Sequence, residues 1–161
     1  MIKYITGNIL ESDAQALVNT VNTQGIMGKR TALQFKRAFP NNFTAYEKAC
    51  NDDQIAVGKM FVTKDSNIDS GEKIIINFPT KKNWRKPSEY SYIEKGLIDL
   101  IQVIDNYKIK SIAIPPLGAG NGGLEWERVK KIIEHYLNWI DADIYVYEPT
   151  AQIKEHLKKE R

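Results

Sequence analysis

At 161 residues, with 42% apolar and 27% charged side chains, the chain has the make-up of one globular domain with a sizeable core. Its net charge of +3 is too small to imply nucleic-acid binding by itself, and its single cysteine, Cys50, excludes an internal disulfide. No metal site is expected from two histidines, His135 and His156, and no apolar run approaches the roughly 20 residues that would span a bilayer.

In chain order, Lys3–Thr6 reads as a short strand and Ala16–Val21 as a second, buried one. The stretch 29–51 reads as mainly helical, interrupted at Pro40 and Asn41, with Cys50 as a structural residue of that helix. Lys59–Thr63 is strand-like, and the β-branched run Ile74–Phe78 has the character of a central strand. Ser88 is placed to cap a helix reaching Tyr107, whose apolar face would be Ile93, Leu97, Leu100, Ile101 and Ile104. Ser111–Ile114 is a buried strand ended by Pro115 and Pro116. Glu125–Ile140 is helical, with Val129, Ile132, Ile133, Tyr136, Leu137 and Ile140 on one side, and Ile144–Tyr147 is a last strand. Helices alternating with apolar strands predict an α/β layer sandwich around a mixed, mostly parallel sheet. The tail 150–161 reads as an amphipathic helix. The N-terminus MIKYITGN lacks the apolar stretch of a signal peptide, so a cytoplasmic location is expected.

Open α/β sheets bind ligands where strand carboxyl ends lead into helices. Four loops of that kind carry residues that core packing does not require. The first is Gly7-Asn8-Ile9, which on its own reads as a plain turn. In "NTVNTQGIMGKRTALQ", Asn19 and Asn22 stand at a strand end before Gly25 and Gly28, and amides offer donor and acceptor to hydroxyl groups without bringing charge. In "NFPTKKNWRK", the cations Lys81, Lys82, Arg85 and Lys86 surround Trp84, a pattern for tracking a nucleic-acid strand with a base stacked on the indole; a solvated basic loop is the plainer alternative. In "AIPPLGAGNGGLEW", four of the ten glycines fall within six residues between a strand and a helix. Backbone amides in such a nest suit a phosphate or diphosphate, although neither GxxxxGK[ST] nor an opening GxGxxG is present.

"GNI" after the first strand, "ALVNTVNTQGIMGKRTALQFKRAFP", "INFPTKKNWR" and "SIAIPPLGAGNGGLEW", in this order, resemble the macrodomain family over residues 1–149. The branch they resemble most is the DarG-type DNA ADP-ribosyl glycohydrolases, antitoxins that act against DarT-like toxins. The protein glycohydrolases that remove terminal ADP-ribose are more distant. The resemblance implies a three-layer α/β/α sandwich holding ADP-ribose in a cleft. It implies Asn8 and Ile9 at the adenine, and Asn19, Thr20, Val21 and Asn22 near the distal ribose. Thr31, Ala32, Leu33, Gln34 and Thr80 would line the cleft, and Leu117, Gly118, Ala119, Gly120, Asn121 and Gly122 would wrap the diphosphate. Lys81 would be catalytic with Asn22, and Lys82, Trp84, Arg85 and Lys86 would contact single-stranded DNA beyond the modified base. Neither metal nor cofactor is implied, and a monomer is expected.

Three positions depart from the family pattern. The adenine-facing aspartate is Asn8, the usual GKG is Gly28-Lys29-Arg30, and the catalytic aspartate of the protein glycohydrolases is replaced by Gly122. The last excludes a carboxylate nucleophile there. A macrodomain that binds ADP-ribose without hydrolysing it, or one that acts on ADP-ribosylated protein, remains an alternative. Glu125, just past the glycine loop, is either a partner for Lys81 or an ordinary acidic residue of a first helical turn.

Overall fold

The computed structural model describes residues 1–28, 30–120 and 122–149, with Arg30 described in its backbone only. The expectations attached to Lys29, to the Arg30 side chain, to Asn121 and to the tail 150–161 lie outside the described residues. The elements are β1 (Ile2–Ile5), a single 3-10 turn (Ile9–Glu11), β2 (Ala16–Asn22), α1 (Arg30–Ala38), α2 (Pro40–Asn51), β3 (Phe61–Asn67), β4 (Gly71–Lys81), α3 (Tyr90–Asn106), β5 (Ser111–Ile114), α4 (Trp126–Leu137) and β6 (Asp143–Tyr147). The strands form one six-stranded sheet in the order β1-β6-β5-β2-β4-β3. Every pairing is parallel except β3 with β4, so the sheet is mixed with one antiparallel edge.

Alternation along the central strands divides the core into two layers. Ala16, Val18, Ile74, Ile76, Phe78, Ile112 and Ile114 join Leu97, Leu100, Val129 and Ile133 from α3 and α4. Leu17, Ile75 and Ala113 point the other way, onto Phe35 of α1 and onto Phe39. The result is an α/β/α sandwich. Gly96 sets the approach of α3 to the sheet: a Cβ there would lie 2.2 Å from the Phe78 ring.

Several boundaries differ from the sequence reading. The helical break falls at Phe39, and Pro40 opens α2 as its first residue, where its missing N–H costs nothing. The α2 amino end is held by the opposite sheet edge instead of by its own cap, because Asp65 of β3 accepts from the Asn42 N–H at 2.9 Å. β3 begins at Phe61, later than expected. Ser88 does not cap α3: Glu89 occupies that position, and the buried Ser88 hydroxyl donates to the Thr80 carbonyl. β4 runs past Pro79 to Lys81. Its ladder with β3 has already ended at Asn77, so the proline interrupts no bond on that side.

Candidate functional site

The carboxyl ends of β2, β4 and β5, adjacent in the sheet, open into a cleft of about 730 Å³. One wall is Thr20, Val21 and Asn22 with Ile26, Gly28, Thr31 and Ala32. The second is Thr80, Lys81, Trp84 and Arg85, and the third is Pro115, Pro116, Gly118, Gly120 and Gly122.

A register irregularity joins the first two walls. β2 and β4 pair one to one up to Val21 with Pro79, then shift, so that Asn22 stands level with Lys81 and not with Thr80. Bulges of this kind re-aim side chains beside functional sites. Asn22 is then locked in place. Its Oδ1 accepts from the Gln24 and Ile26 amides and from the Tyr46 hydroxyl, and its Nδ2 donates to the Ile26 carbonyl at 2.9 Å. The Tyr46 hydroxyl also lies 2.7 Å from the Asn22 carbonyl oxygen. Burial pushes the Tyr46 phenol above its ordinary pKa, so it stays protonated as a donor to this strand end. Tyr46 was not singled out from the sequence; its one signal there is a polar-tipped aromatic on the inner side of α2.

The glycine loop separates two jobs that the sequence ran together. The side chains of Leu117 and Ala119 are fully buried in the core, while Gly118, Gly120 and Gly122 line the cleft. Gly118 has a φ of +69°, and a Cβ on it would lie 2.8 Å from Leu124. A Cβ on Gly122 would lie 2.3 Å from the Gly118 carbonyl oxygen. These two glycines are therefore demanded by the turn itself. Gly120 is different: a Cβ there meets nothing within 4 Å among the described residues, and its φ is not positive. It alone of the three is spared by the turn and faces the cleft. Among the described residues, the amides of Gly118, Gly120 and Gly122 donate to no backbone carbonyl, which leaves three N–H groups on the cleft wall.

Lys81 is half-buried at the end of β4, with Nζ 3.5 Å from the Trp84 carbonyl oxygen. The following loop is pinned to the end of β2 by three bonds. The Lys81 carbonyl accepts from the Thr23 amide, the Lys82 carbonyl from the Thr23 hydroxyl, and the Gln24 side chain from the Trp84 amide. Trp84 and Arg85 turn into the cleft, the guanidinium 4.7 Å from the indole centroid, whereas Lys82 and Lys86 face a separate groove on the other side of the loop. The predicted DNA-contacting residues are thus divided between two surfaces. Glu125 is exposed at the start of α4, and its amide donates to the Tyr90 hydroxyl oxygen at 3.0 Å.

Several predicted site residues do not line this cleft. Asn19 is fully buried, because strand alternation turns it toward α2 while Thr20 faces the opening. Its Nδ2 lies 3.5 Å from the Asn77 Oδ1, and Asn77 is paired with Asn42. Asn8 is exposed and accepts from the Leu10 amide, capping the 3-10 turn. Ile9 is packed against the core beside α1. Leu33 and Gln34 lie on α1 away from the cleft walls. Conversely, Ile26, Pro115 and Pro116 line the cleft without having been predicted. Among the described residues no group of histidine, cysteine, aspartate and glutamate is arranged to hold a metal ion.

A parallel-sheet cleft walled by a glycine nest and an amide-rich strand end defines the class: the chain belongs to the macro domain family, whose model matches residues 18–133. Within that family it is similar to the macrodomain of Mycobacterium tuberculosis DarG, at 53% identity and a TM-score of 0.87 over 93% of this chain and 99% of that one. The macrodomain of Thermus aquaticus DarG follows at 50% identity and a TM-score of 0.85, over 92% and 99%. Thermosipho africanus DarTG, solved in complex with ADP-ribose, matches at 30% identity and a TM-score of 0.85, over 98% of this chain and 45% of that one. A DNA ADP-ribosyl glycohydrolase of M. tuberculosis is 54% identical over 94% of this chain. The chain spans 43% of the length of that relative.

Proposed function

We propose that this chain is a DNA ADP-ribosyl glycohydrolase that releases ADP-ribose from a modified base, thymine in the first place, in single-stranded DNA. The observation that carries the reading is the placement of Lys81 level with Asn22, facing a cleft whose third wall carries glycine amides that, among the described residues, donate to no backbone carbonyl. The 50–54% identity to proteins bearing that activity in their names supports it, as does the related structure that holds ADP-ribose.

In this reading the diphosphate lies on the amides of Gly118, Gly120 and Gly122, with Leu117 and Ala119 holding the loop in the core behind it. The distal ribose sits against Thr20, Val21 and Asn22, with Thr31 and Ala32 on the same wall beside them. Cleavage breaks the bond between the anomeric carbon and the base. Water supplies the hydroxyl that remains on ADP-ribose, and the base regains a proton. The Lys81 ammonium stands where negative charge grows on the departing base, so it stabilises that charge or delivers the proton. Asn22, with its carboxamide already engaged in four hydrogen bonds, acts as a positioning residue and leaves proton transfer to Lys81.

The macrodomain occupies 1–149, and the protein acts in the cytoplasm as a monomer opposite a DarT-like toxin. A fusion of a DNA ADP-ribosyl transferase with a DNA ADP-ribosyl glycohydrolase in T. africanus, 34% identical over 92% of this chain, supports that pairing. Incubation with a single-stranded oligonucleotide carrying one ADP-ribosylated thymine is expected to yield free ADP-ribose and the unmodified strand. Full retention of the modification, with ADP-ribose still raising the melting temperature, makes the chain a reader of ADP-ribose instead.

A further inference from the structure

The loop that follows Lys81 is a wall with two faces. Behind the face that carries Trp84 and Arg85 lies a groove of about 420 Å³, lined by Gln24, Lys82, Asn83, Lys86, Glu89 and Tyr92, with Pro87 at its edge. Nothing in the cleft chemistry uses it. The Gln24 and Asn83 carbonyl oxygens are spent inside the wall, accepting from the Trp84 amide at 3.2 Å and the Arg85 amide at 2.9 Å. Both side chains keep their amide N–H groups as donors, beside two lysine ammoniums. The one carboxylate, Glu89, stands beside the Tyr92 hydroxyl and raises its pKa, which keeps the phenol protonated. A half-buried aromatic ring thus stands among donors, with the Lys82 ammonium 5.6 Å from its centroid, near the outer limit of a cation–π contact.

A ring for stacking, donors for base carbonyls and two cations for phosphate are the elements from which single-strand sites are built. We propose that this groove is a second nucleotide subsite, which holds a nucleotide flanking the modified one after the strand crosses the wall. The inference rests on the proposed action on DNA, since the cleft must hold the modified base for the strand to pass this way. In the subsite the flanking base stacks on Tyr92 and displaces Lys82 from the ring, and Lys82 and Lys86 then meet the phosphate. An acidic peptide would satisfy the lysines but leave the ring and the amide donors unused.

The test compares wild-type protein with Tyr92→Ala and Tyr92→Phe. Four substrates are used: an ADP-ribosylated oligonucleotide, the ADP-ribosylated nucleoside alone, and two versions of the same oligonucleotide with an abasic site on one or the other side of the modified base. For Tyr92→Ala, KM for the oligonucleotide is expected to rise roughly five- to 150-fold, the range for one lost base–aromatic stack. Its kcat and its turnover of the nucleoside stay as in wild type, and Tyr92→Phe keeps wild-type values throughout. One of the two abasic oligonucleotides reproduces the loss with wild-type protein, and it adds no further loss with Tyr92→Ala. An unchanged oligonucleotide KM, equal losses on nucleoside and oligonucleotide, or no loss with either abasic strand overturns the subsite. If wild-type protein turns over none of these substrates, the glycohydrolase reading is what fails. Binding of the unmodified and abasic oligonucleotides, followed by fluorescence anisotropy, then decides the groove on the same comparisons.

Discussion

Alanine at two neighbouring glycines separates building the loop from using it. In Gly122→Ala the new Cβ lies 2.3 Å from the Gly118 carbonyl oxygen and 2.8 Å from its carbon, 0.7 Å inside the 3.0 Å floor for the first contact. That oxygen also accepts from the Leu124 amide at 2.9 Å, and the Gly122 carbonyl accepts from Ser88 at 2.9 Å, so relief must come from backbone tied on both sides. Overpacking of this kind costs about 1–3 kcal/mol. For a domain of this size that corresponds to a fall in Tm of about 2–12 °C. In Gly120→Ala the methyl meets nothing among the described residues, so the Tm is expected to hold within the effect of about 0.5 kcal/mol typical of a neutral surface change. Gly120 lies on the wall to which the proposed site assigns the diphosphate, so the methyl is expected to weaken ligand binding. At ligand one hundred times Kd, binding raises stability by about 2.7 kcal/mol, and a tenfold loss of affinity removes about half of that. Differential scanning fluorimetry with and without ADP-ribose reads both numbers. A Gly120→Ala protein with a wild-type ligand shift refutes the close approach of a ligand to this loop, and a Gly122→Ala protein with an unchanged Tm refutes the rigid turn.

Lys81→Ala is expected to lower release of ADP-ribose roughly 10²–10⁴-fold, measured by chromatography of the product, while calorimetry finds ADP-ribose binding nearly intact. Tyr46→Phe removes the donor to the Asn22 strand end inside a fully buried site, at about 1–3 kcal/mol, and chemical denaturation is expected to show the loss. The folded-state pKa of Cys50 is raised, first of all by burial, so the folded protein holds this proton longer than the unfolded chain does. Stability is therefore expected to fall as pH rises from the ordinary thiol range toward the folded value, and Cys50→Ala flattens that alkaline limb in denaturation curves taken across pH.

Much of this protein is written locally. The β-branched run Ile74–Ile76, the helical stripe Ile93, Leu97, Leu100 and the glycine cluster after Pro116 announce a central strand, a packed helix and an amide-lined loop, because periodicity and backbone freedom are properties of neighbouring residues. The cationic stretch around Trp84 is legible for the same reason. Other features belong to partners far apart in the chain. Asn19 looked as suited to the cleft as Asn22, yet strand alternation and the Asn42–Asn77 pair bury the first, while a register shift against β4 sets the second beside Lys81. Ser88 has the composition of a cap but spends its hydroxyl on Thr80, and α2 takes its acceptor from Asp65 across the sheet. The four cations read as one patch in sequence, whereas two bonds from Thr23 and one from Gln24 stand their loop on edge and give it two faces. Register, side-chain direction and the orientation of a loop are set by contacts between residues dozens of positions apart, and only the folded arrangement brings those residues together.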